Sequence, residues 1–356
     1  MRTLLLAPAL LAQNGGIERI MRLYLKALCE SAGADDRVDA VVLNDAPARD
    51  PRLAAYANDR LSEWVGCGRS KGRLVRAAIR LGRRADRLVC AHLHHLPIAW
   101  LAQRFNRRLR YHLVAHGIEV WRPYRWLERR ALLGAERILC VSEYTRRQLL
   151  RFCPELRPER LVVVPNTLDP LFMAGPMAAP AFVGPRILCV TRLAASDSYK
   201  GVDTLIEVLP QLRREFPLVR LRVVGEGDDL PRLAALAGRL GVASSIDFLG
   251  PITDEALRAE YAGCDFFALP SRREGFGLVY LEAMTYGKAC LAARAGGAPE
   301  VVNEDVGCLV DYANLADLAA GLADLARHPR DSGIVRRHAD SFAFPAFARR
   351  LQAALT

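Results

Sequence analysis

Two glutamates eight positions apart mark the part of this 356-residue chain best suited to chemistry. Glu274 follows an apolar run, residues 266–269, that reads as a buried strand. Glu282 lies in the second turn of a helix predicted to begin near Gly277. Glycines let a ligand approach the backbone, and a helix N-terminus attracts an anion such as a phosphate. The spacing therefore predicts an anion-binding turn, with one carboxylate beside the ligand and the other about one helical turn deeper.

The residues around Glu282 predict that its carboxylate is buried. Its neighbours on the helix are apolar: Leu278, Val279, Leu281, Ala283 and Met284. A buried carboxylate without a partner is costly, so we expect a ligand or a basic residue beside it. A solvated glutamate on a surface helix is the alternative reading.

Two cations and a glycine turn follow other predicted strands of the second half. Arg192 and Lys200, the latter just before Gly201, come after a strand at 186–190. An arginine fork and a lysine point charge at the carboxyl end of a parallel strand suit a diphosphate, and the alternative is a solvated loop. Gly225 opens a Gly-Glu-Gly turn after the next strand, which fits either a nucleotide-binding loop or an ordinary tight turn.

The first half offers polar residues at equivalent places. Four residues follow its first predicted strand and open a helix: Gln13, Asn14, Gly15 and Gly16. They suit close approach by a diphosphate or sugar, or an ordinary strand-to-helix turn. His116 ends a strand at 111–115, where a histidine can donate to a sugar hydroxyl or a phosphate near neutral pH.

The sequence predicts no metal site and no cofactor. His92, His94 and His95 cluster after one strand, but no carboxylate or cysteine is placed to complete a ligand set. The chain also contains no Asp-x-Asp that would hold a divalent cation against a diphosphate.

Length and pattern predict an α/β protein of two domains. Strands and helices alternate almost throughout, with continuous apolar strands typical of parallel sheets. Pro170 to Pro185 reads as the linker, and it separates residues 1–172 from residues 173–338. Two doubly wound domains would face a ligand cleft. A final helix, about 333–355, would cross back, so residues 339–356 are predicted to pack on the first domain.

Charge is unevenly divided between the halves. Residues 1–172 hold 30 Lys/Arg against 17 Asp/Glu, whereas residues 173–356 hold 20 against 22. Six arginines recur at helical spacing in the basic half: Arg73, Arg76, Arg80, Arg83, Arg84 and Arg87. This pattern is typical of a basic amphipathic helix at an anionic membrane surface, or of a solvated helix face.

Cysteines and hydropathy indicate the compartment. Cys90, Cys140 and Cys189 lie in apolar runs without paired spacing, which is typical of buried thiols in a reducing environment. The N-terminal residues imitate a signal peptide, but Pro8 interrupts a short apolar core, and a first β-strand explains them better. No run reaches the roughly 18 apolar residues of a membrane span.

Taken together, these motifs resemble retaining glycosyltransferases of the GT-B architecture, of the family-4 type. The resemblance covers nearly the whole chain, and its most specific part is a Glu-x₇-Glu motif from Glu274 to Glu282. The other matching segments are Gly15-Gly16, His116-Gly117, Val141 to Glu143, Val164 to Asn166, Arg192 with Lys200-Gly201, Gly225 to Gly227, and Phe248 to Gly250. The spacing from Arg192 to Lys200 is slightly longer than the commonest one in the family.

The resemblance implies a role for each matching residue. The second domain would hold a nucleotide sugar, with Glu274 at the sugar hydroxyls and Glu282 on the ribose. Arg192 and Lys200 would neutralise the diphosphate, and His116 would touch the sugar from the first domain. The remaining donor-binding positions would be Gly15, Gly16, Gly225, Leu249, Phe276, Gly277, Leu278 and Val279. No protein nucleophile is assigned, because Glu282 is too deep to pair with Glu274 as two glycosidase carboxylates do.

An enzyme of this type would transfer a hexose without a metal, from a donor such as GDP-mannose or UDP-glucose. Its acceptor would be a glycan or a lipid-linked molecule of surface polysaccharide assembly. It would be cytoplasmic and peripheral on the inner face of the membrane. A sugar-nucleotide epimerase, or a non-catalytic protein that binds nucleotide sugars or nucleic acid, remains an alternative. Nucleic acid is not the expected partner, because aromatic residues are not interleaved with the arginines.

Overall fold

The computed structural model describes residues 1–12, 15–172 and 183–356. The chain forms two compact units, one of residues 1–169 with 344–356 and the other of residues 170–343. Gln13 and Asn14, and most of the segment that the sequence marks as a linker, lie outside the described residues.

The first unit is built on a parallel seven-stranded sheet, with strand order β3-β2-β1-β4-β5-β6-β7 among the described residues. Its strands are β1 (Arg2–Ala7), β2 (Arg37–Val42), β3 (Leu61–Gly66), β4 (Arg87–Cys90), β5 (Arg110–Ala115), β6 (Arg137–Cys140) and β7 (Leu161–Val163). Its first five helices are α1 (Gly16–Glu30), α2 (Lys71–Gly82), α3 (Leu96–Phe105), α4 (Trp126–Gly134) and α5 (Glu143–Phe152). The predicted α/β class is confirmed for this unit.

The second unit is built on a parallel sheet of six strands in its described part, with order β10-β9-β8-β11-β12-β13. The strands are β8 (Arg186–Val190), β9 (Arg220–Val224), β10 (Ile246–Gly250), β11 (Phe266–Leu269), β12 (Ala289–Ala293) and β13 (Gly307–Val310). The helices are α6 (Val202–Glu215), α7 (Leu230–Arg239), α8 (Asp254–Gly263), α9 (Leu278–Thr285), α10 (Leu315–Arg327) and α11 (Ser332–Asp340). Both units are therefore doubly wound.

Burial explains why the central strands form. Leu4, Leu5 and Leu6 of β1 are completely buried, and β11 and β12 are buried along their whole length. Helices on both faces of a parallel sheet remove its strands from water, which favours continuous apolar runs. In each sheet the strand order reverses between two neighbours, β1 and β4 or β8 and β11, and ligands of such folds bind beside that point.

The C-terminal segment is two helices and not one. The sequence predicted a single helix at about 333–355, but the structure ends α11 at Asp340 and begins α12 (Phe344–Leu355) after a short break. Pro345 suits the first turn of a new helix, because a proline there lacks only an amide hydrogen that has no partner in the helix. Phe347 of α12 meets Tyr24 of α1 edge to face, with ring centroids 5.1 Å apart.

Two further predictions about the first unit need correction. The sequence missed β3, an edge strand whose burial is broken by Ser62 and Glu63. The basic helix is shorter than predicted, because α2 ends at Gly82 and Arg87 belongs to β4. There Arg87 is half-buried and donates to the carbonyl of Leu355 at 2.7 Å, so it cannot belong to an exposed stripe.

Cysteine burial and helix length agree with the sequence patterns. All nine cysteines are free thiols, and Cys90, Cys140 and Cys189 are completely buried. Burial raises the pKa of the Cys90 thiol to about 12. Within the described ranges, no helix is both long enough and apolar enough to cross a membrane.

Candidate functional site

The central feature of the second unit is an ion pair between two predicted site residues. The Nζ atom of Lys200 lies 2.7 Å from Oε2 of Glu274, although the two residues are 74 positions apart. Lys200 follows β8 and Glu274 follows β11, and these neighbouring strands are where the order of the sheet reverses. The fold thus joins a cation and a carboxylate at the edge where such sheets bind ligands.

Burial strengthens this pair. The side chains of Lys200 and Glu274 are only 19% and 15% exposed. Burial alone would lower the pKa of Lys200, but the Glu274 carboxylate outweighs it and raises that pKa above the ordinary value. The ammonium group therefore stays charged at neutral pH. A short turn, Ala195–Lys200, carries the lysine and ends at Gly201 in the left-handed conformation.

Arg192 is positioned by a residue that the sequence analysis did not single out. Its Nε donates to Oδ2 of Asp197 at 2.6 Å, and Asp197 is buried. The arginine side chain is still 72% exposed. Asp197 also accepts from the hydroxyl of Tyr199 at 3.1 Å. The eight-residue spacing from Arg192 to Lys200 thus forms an ordered turn.

The loop after β12 fixes the backbone at Glu274. The amide of Gly297 donates to the carbonyl of Glu274 at 2.7 Å. A Cβ at Gly296 would overlap that same carbonyl, and Gly296 has a φ of 63°. The sequence analysis overlooked these two glycines, although their place after a buried strand resembles that of the glycines it selected.

Two arginines before Glu274 add positive charge that the sequence analysis also overlooked. The guanidinium of Arg273 lies 5.8 Å from the ring centroid of Tyr199, and the Lys200 ammonium lies 5.6 Å from the same ring. Arg272 lies over Tyr312. Cations gain from such ring faces. Their position directly before the glutamate was the signal available in the sequence.

The helix predicted to begin near Gly277 is confirmed as α9. Gly277 caps its N-terminus with a φ of 94°, and a Cβ there would overlap the ring of Tyr280. Leu278 and Val279 are half-buried at the first turn, where helix amides lack intrahelical partners. Phe276 is buried edge to face on Phe342, so its ring is part of the core and only its backbone is suited to a donor contact.

Glu282 is buried, as predicted, and it accepts a hydrogen bond from a tyrosine of a neighbouring helix. Its Oε2 accepts from the hydroxyl of Tyr261 on α8 at 2.8 Å. This hydroxyl is a protein partner that the sequence pattern did not indicate, and the expectation of a ligand or a basic residue beside Glu282 stays a prediction. The Tyr261 ring is stacked on Tyr286 and borders Phe267. A ribose contact by Glu282 stays a prediction.

The glycine turn after β9 is explained by contact with the protein itself. Gly225 has a φ of 134°, and a Cβ there would overlap the carbonyl of Thr191. A Cβ at Gly227 would likewise overlap Leu193. These glycines let the turn lie against the loop that carries Arg192, so a donor contact by Gly225 stays a prediction. Leu249 lies half-buried in β10, beside an irregularity in its pairing with β9.

His116 in the first unit has a different hydrogen-bonding role from the one predicted. Its Nε2 lies 2.9 Å from the carbonyl of Ala91, and burial lowers the pKa of the ring to about 4. A carbonyl only accepts, so Nε2 carries the hydrogen and Nδ1 offers a lone pair. In this neutral ring no N–H remains to donate to a ligand, so the expected donation is not supported, and a contact between His116 and the donor sugar stays a prediction.

The loop around His116 is held by a carboxylate. Glu119 accepts from the backbone amide of His116 at 2.6 Å, and burial raises the pKa of Glu119. Burial lowers the pKa of His92 and His95. Among residues 1–12, 15–172 and 183–356, no group of three or more histidine, cysteine or acidic side chains is arranged to hold a metal ion.

The first turn of α1 is described only in part. Gly15 caps the helix in an extended conformation and Gly16 begins it. A Cβ at Gly15 would crowd the carboxylate of Glu18. Gln13 and Asn14, which complete the predicted binding loop, lie outside the described residues, so the roles of Gly15 and Gly16 stay predictions.

Two family models match the chain, one in each half. The model described as Glycosyltransferase Family 4 matches residues 14–171, and the model described as Glycosyl transferases group 1 matches residues 184–328. The two matches do not overlap, and together they span most of the sequence.

Curated relatives are similar over less than half of their length. The chain is 39% identical over 165 residues to a GDP-mannose-dependent alpha-(1-6)-phosphatidylinositol monomannoside mannosyltransferase of Mycolicibacterium smegmatis, covering 43% of this chain and 42% of that enzyme. It is 37% identical over 168 residues to a D-inositol 3-phosphate glycosyltransferase of Geodermatophilus obscurus, covering 44% and 37%.

Solved structures share the fold over the whole chain. Anabaena HepE in complex with UDP superposes with a TM-score of 0.78 at 21% identity, covering 100% of this chain and 99% of that one. HepE was also solved with UDP-glucose. A likeness at this identity concerns the fold alone, but it agrees with both family models. The chain therefore belongs to the family-4 glycosyltransferases, and its fold is the GT-B architecture.

Proposed function

We propose that this protein transfers a hexose from a nucleotide-diphosphate sugar to an acceptor, with retention of the anomeric configuration and without a metal. The observation that carries the proposal is the Lys200–Glu274 pair, which lies at the reversal point of the second sheet. Arg192 and the N-terminus of α9 follow the same two strands, β8 and β11. This combination of charges suits a diphosphate joined to a sugar.

Cleavage of the donor leaves negative charge on the diphosphate, and fixed positive charge lowers the energy of that transition state. We assign this role to Lys200 and Arg192, with the first amides of α9 contributing the positive end of the helix dipole. Diphosphate oxygens would share the Lys200 ammonium with Glu274. The glutamate would then be placed to accept from the hydroxyls of the transferred sugar.

Glu282 is not suited to act as a second catalytic carboxylate beside Glu274, because it is buried and bonded to Tyr261. A double displacement through a protein nucleophile therefore has no support among these residues. We propose that the acceptor attacks from the face that the diphosphate leaves, and that a phosphate oxygen takes the acceptor's proton. This course retains the anomeric configuration.

GDP-mannose is the donor that the relatives favour. The Mycolicibacterium smegmatis relative is GDP-mannose-dependent and matches at 39% identity, whereas HepE with UDP-glucose matches at 20%. The name of the M. smegmatis relative also supports a lipid-linked acceptor, because it specifies a phosphatidylinositol mannoside. We propose a glycan or lipid-linked acceptor of cell-surface polysaccharide assembly, reached by an enzyme that is peripheral on the inner face of the cytoplasmic membrane.

The proposal is tested by incubating the purified protein with GDP-mannose or UDP-glucose and a membrane-lipid extract, in excess EDTA. We expect release of the nucleoside diphosphate and a glycosylated lipid whose new bond has the donor's anomeric configuration by NMR. Inversion, or activity only after magnesium or manganese is added, would contradict the mechanism. Conversion of the free donor to an epimer would identify an epimerase. Binding without turnover would identify a non-catalytic protein.

A further inference from the structure

The positive charge of the chain is concentrated in one layer of the first unit. Residues 67–135 contain sixteen Lys/Arg and three Asp/Glu, a net charge of +13 in a chain whose total is +11. This segment spans α2, α3 and α4, and α3 packs against each of the other two. The rest of the chain carries a net charge of −2 (+11 minus +13), so the excess positive charge lies on these three helices and on the loops and strands that flank them.

The three acidic residues of this segment do little to offset its surface charge. Glu128 is buried and paired with Arg122, and Glu119 accepts from the backbone of its own loop. Asp86 is the exposed acid of this segment. Arg80 and Arg84 at the end of α2 are paired with Glu63 of β3, so the stripe that the sequence marked is partly neutralised.

Exposed apolar side chains lie among the arginines of α3 and α4. Trp126 and Leu127, in the first turn of α4, are 69% and 46% exposed. Phe105 ends α3 and is 52% exposed. Arg130 lies over the Trp126 ring, 5.9 Å from its centroid, and Arg83 lies over Phe105 at 5.3 Å. Arg125 and Arg130 beside this tryptophan are exposed.

We propose that the outer face of α3 and α4 is a docking surface for an anionic lipid bilayer, with Trp126 and Leu127 inserted at the headgroup level. A tryptophan suits the membrane interface because its ring is apolar and its N–H is polar. Exposed arginines around it attract anionic lipid. This inference deepens the proposed function by giving its membrane partner a surface, and it assigns the apolar anchor to α4 and not to α2.

Nucleic acid would use the arginines differently. Phosphate contacts require the cations but gain little from an aliphatic side chain such as Leu127 at a helix start. A membrane interface requires both cations and exposed apolar side chains, because charge attracts the protein to the surface and apolar insertion holds it there. The contribution of Leu127 therefore separates the two partners, because an aromatic ring such as Trp126 could also stack on a nucleic-acid base.

The experiment is vesicle co-sedimentation of the full chain, without donor or acceptor, so it does not depend on catalysis. Vesicles of phosphatidylglycerol and phosphatidylcholine are compared with phosphatidylcholine alone, at low and high salt. We expect wild type to bind the anionic vesicles at low salt and to be released by salt. Trp126→Ser with Leu127→Ser should weaken binding about tenfold, and Arg125→Glu with Arg130→Glu by tenfold or more.

Matched controls come from the second unit. Leu218→Ser removes an apolar side chain that is 57% exposed, and Arg214→Glu with Arg239→Glu makes the same change in charge. Both should bind vesicles like wild type. Trp126 is the most exposed of four tryptophans, so anionic vesicles should shift wild-type fluorescence to the blue and leave the Trp126→Ser variant nearly unchanged.

Three results would overturn the proposal. Wild type could remain in the supernatant at low salt, the Trp126 and Leu127 variant could sediment like wild type, or a control could lose as much binding as a test variant. Binding of an oligonucleotide that exceeds vesicle binding and is unchanged by Leu127→Ser would also overturn it and would identify nucleic acid as the partner. Transfer of hexose to a soluble acceptor would stand in each case, so failure here is distinct from failure of the proposed activity.

Discussion

Lys200 and Glu274 form a buried ion pair across the point where the second sheet reverses its strand order, with Nζ and Oε2 2.7 Å apart. Each residue has a separate support, a left-handed Gly201 after the lysine and the Gly297 amide on the carbonyl of the glutamate. Because the backbone at each residue is held in place, the ion pair is preformed. A charged donor would therefore bind beside a cation and a carboxylate that are already in position.

Changing Glu274 to Gln should remove transfer and leave donor binding nearly intact. The amide keeps an oxygen that can accept from Lys200, but it loses the charge that the proposed chemistry uses at the sugar. We expect kcat to fall by about a hundredfold or more, with the donor dissociation constant within about threefold of wild type. Steady-state kinetics and calorimetric titration of the donor measure the two quantities.

Glu260→Gln is the matched control for this change. Glu260 pairs with Arg222 at 2.6 Å in the same unit, and its side chain is 19% exposed, similar to Glu274. Turnover by this variant should stay near wild type. Equal loss of kcat in the two variants would mean that both changes act through the stability of the unit, and the assignment of Glu274 would then be withdrawn.

Changing Arg192 to Ala should weaken binding of the nucleoside diphosphate. A charge-assisted hydrogen bond contributes about 1.5–3 kcal/mol, so the dissociation constant should rise roughly ten- to a hundredfold. Arg294→Ala serves as the control, because Arg294 is also mostly exposed and paired with an aspartate, Asp311. Titration of GDP or UDP into the Arg192→Ala and Arg294→Ala variants measures the two dissociation constants. Equal affinity of the Arg192 variant and wild type would remove Arg192 from the site.

Gly225→Ala should destabilise the second unit, because the new methyl group would overlap the Thr191 carbonyl at a φ of 134°. Strain of this kind costs about 1–3 kcal/mol. Gly238→Ala, on α7, meets no atom within 4 Å and should raise stability by about 0.5–1 kcal/mol. Urea unfolding measures both free energies. If Gly225→Ala leaves the free energy of unfolding unchanged, the turn can move, and the packing explanation for this glycine fails.

Stability should fall in mild acid because several histidines are buried. Burial, helped by Arg87, Arg137 and Arg110, lowers the pKa of His112 to about 3. Between pH 6.5 and pH 3, the imidazole of His112 is protonated in the unfolded chain but stays neutral in the folded protein. The contribution of His112 to stability is therefore present above about pH 6.5 and is lost as the pH falls toward 3.

His112→Leu isolates this contribution. Between pH 6 and 4.5, the unfolding free energy of the variant should fall less steeply than that of wild type, by up to about 1.4 kcal/mol per pH unit for the one proton removed. Parallel slopes for wild type and His112→Leu in urea titrations at each pH would contradict the buried neutral histidine.

The sequence predicted most of the fold because buried parallel strands are continuous apolar runs. β3 was not predicted, because it is an edge strand and its Ser62 and Glu63 interrupt the apolar run. The basic stripe was extended to Arg87 because its spacing continued, whereas the backbone had already left the helix. Periodicity identifies a face of a helix, but it does not show where the helix ends.

The sequence located the candidate site better than it described the contacts within it. Glu274 and Lys200 were both selected, but their pairing depends on the adjacency of β8 and β11, which is a property of the sheet. The hydrogen bond from Tyr261 to Glu282 was not predicted for the same reason, because Tyr261 comes from another helix. His116 was selected correctly as a strand-end residue, yet its proton is fixed by the carbonyl of Ala91, which no motif contains.

Titration of GDP-mannose and UDP-glucose into wild type and Lys200→Gln tests the donor site, with urea unfolding to verify that the variant is folded. Wild type should bind at least one of these donors, and the variant should bind it at least tenfold more weakly, because the diphosphate loses the cation beside Glu274. Failure of wild type to bind either donor, or equal affinity in a folded variant, would contradict the central claim that this ion pair forms the donor site.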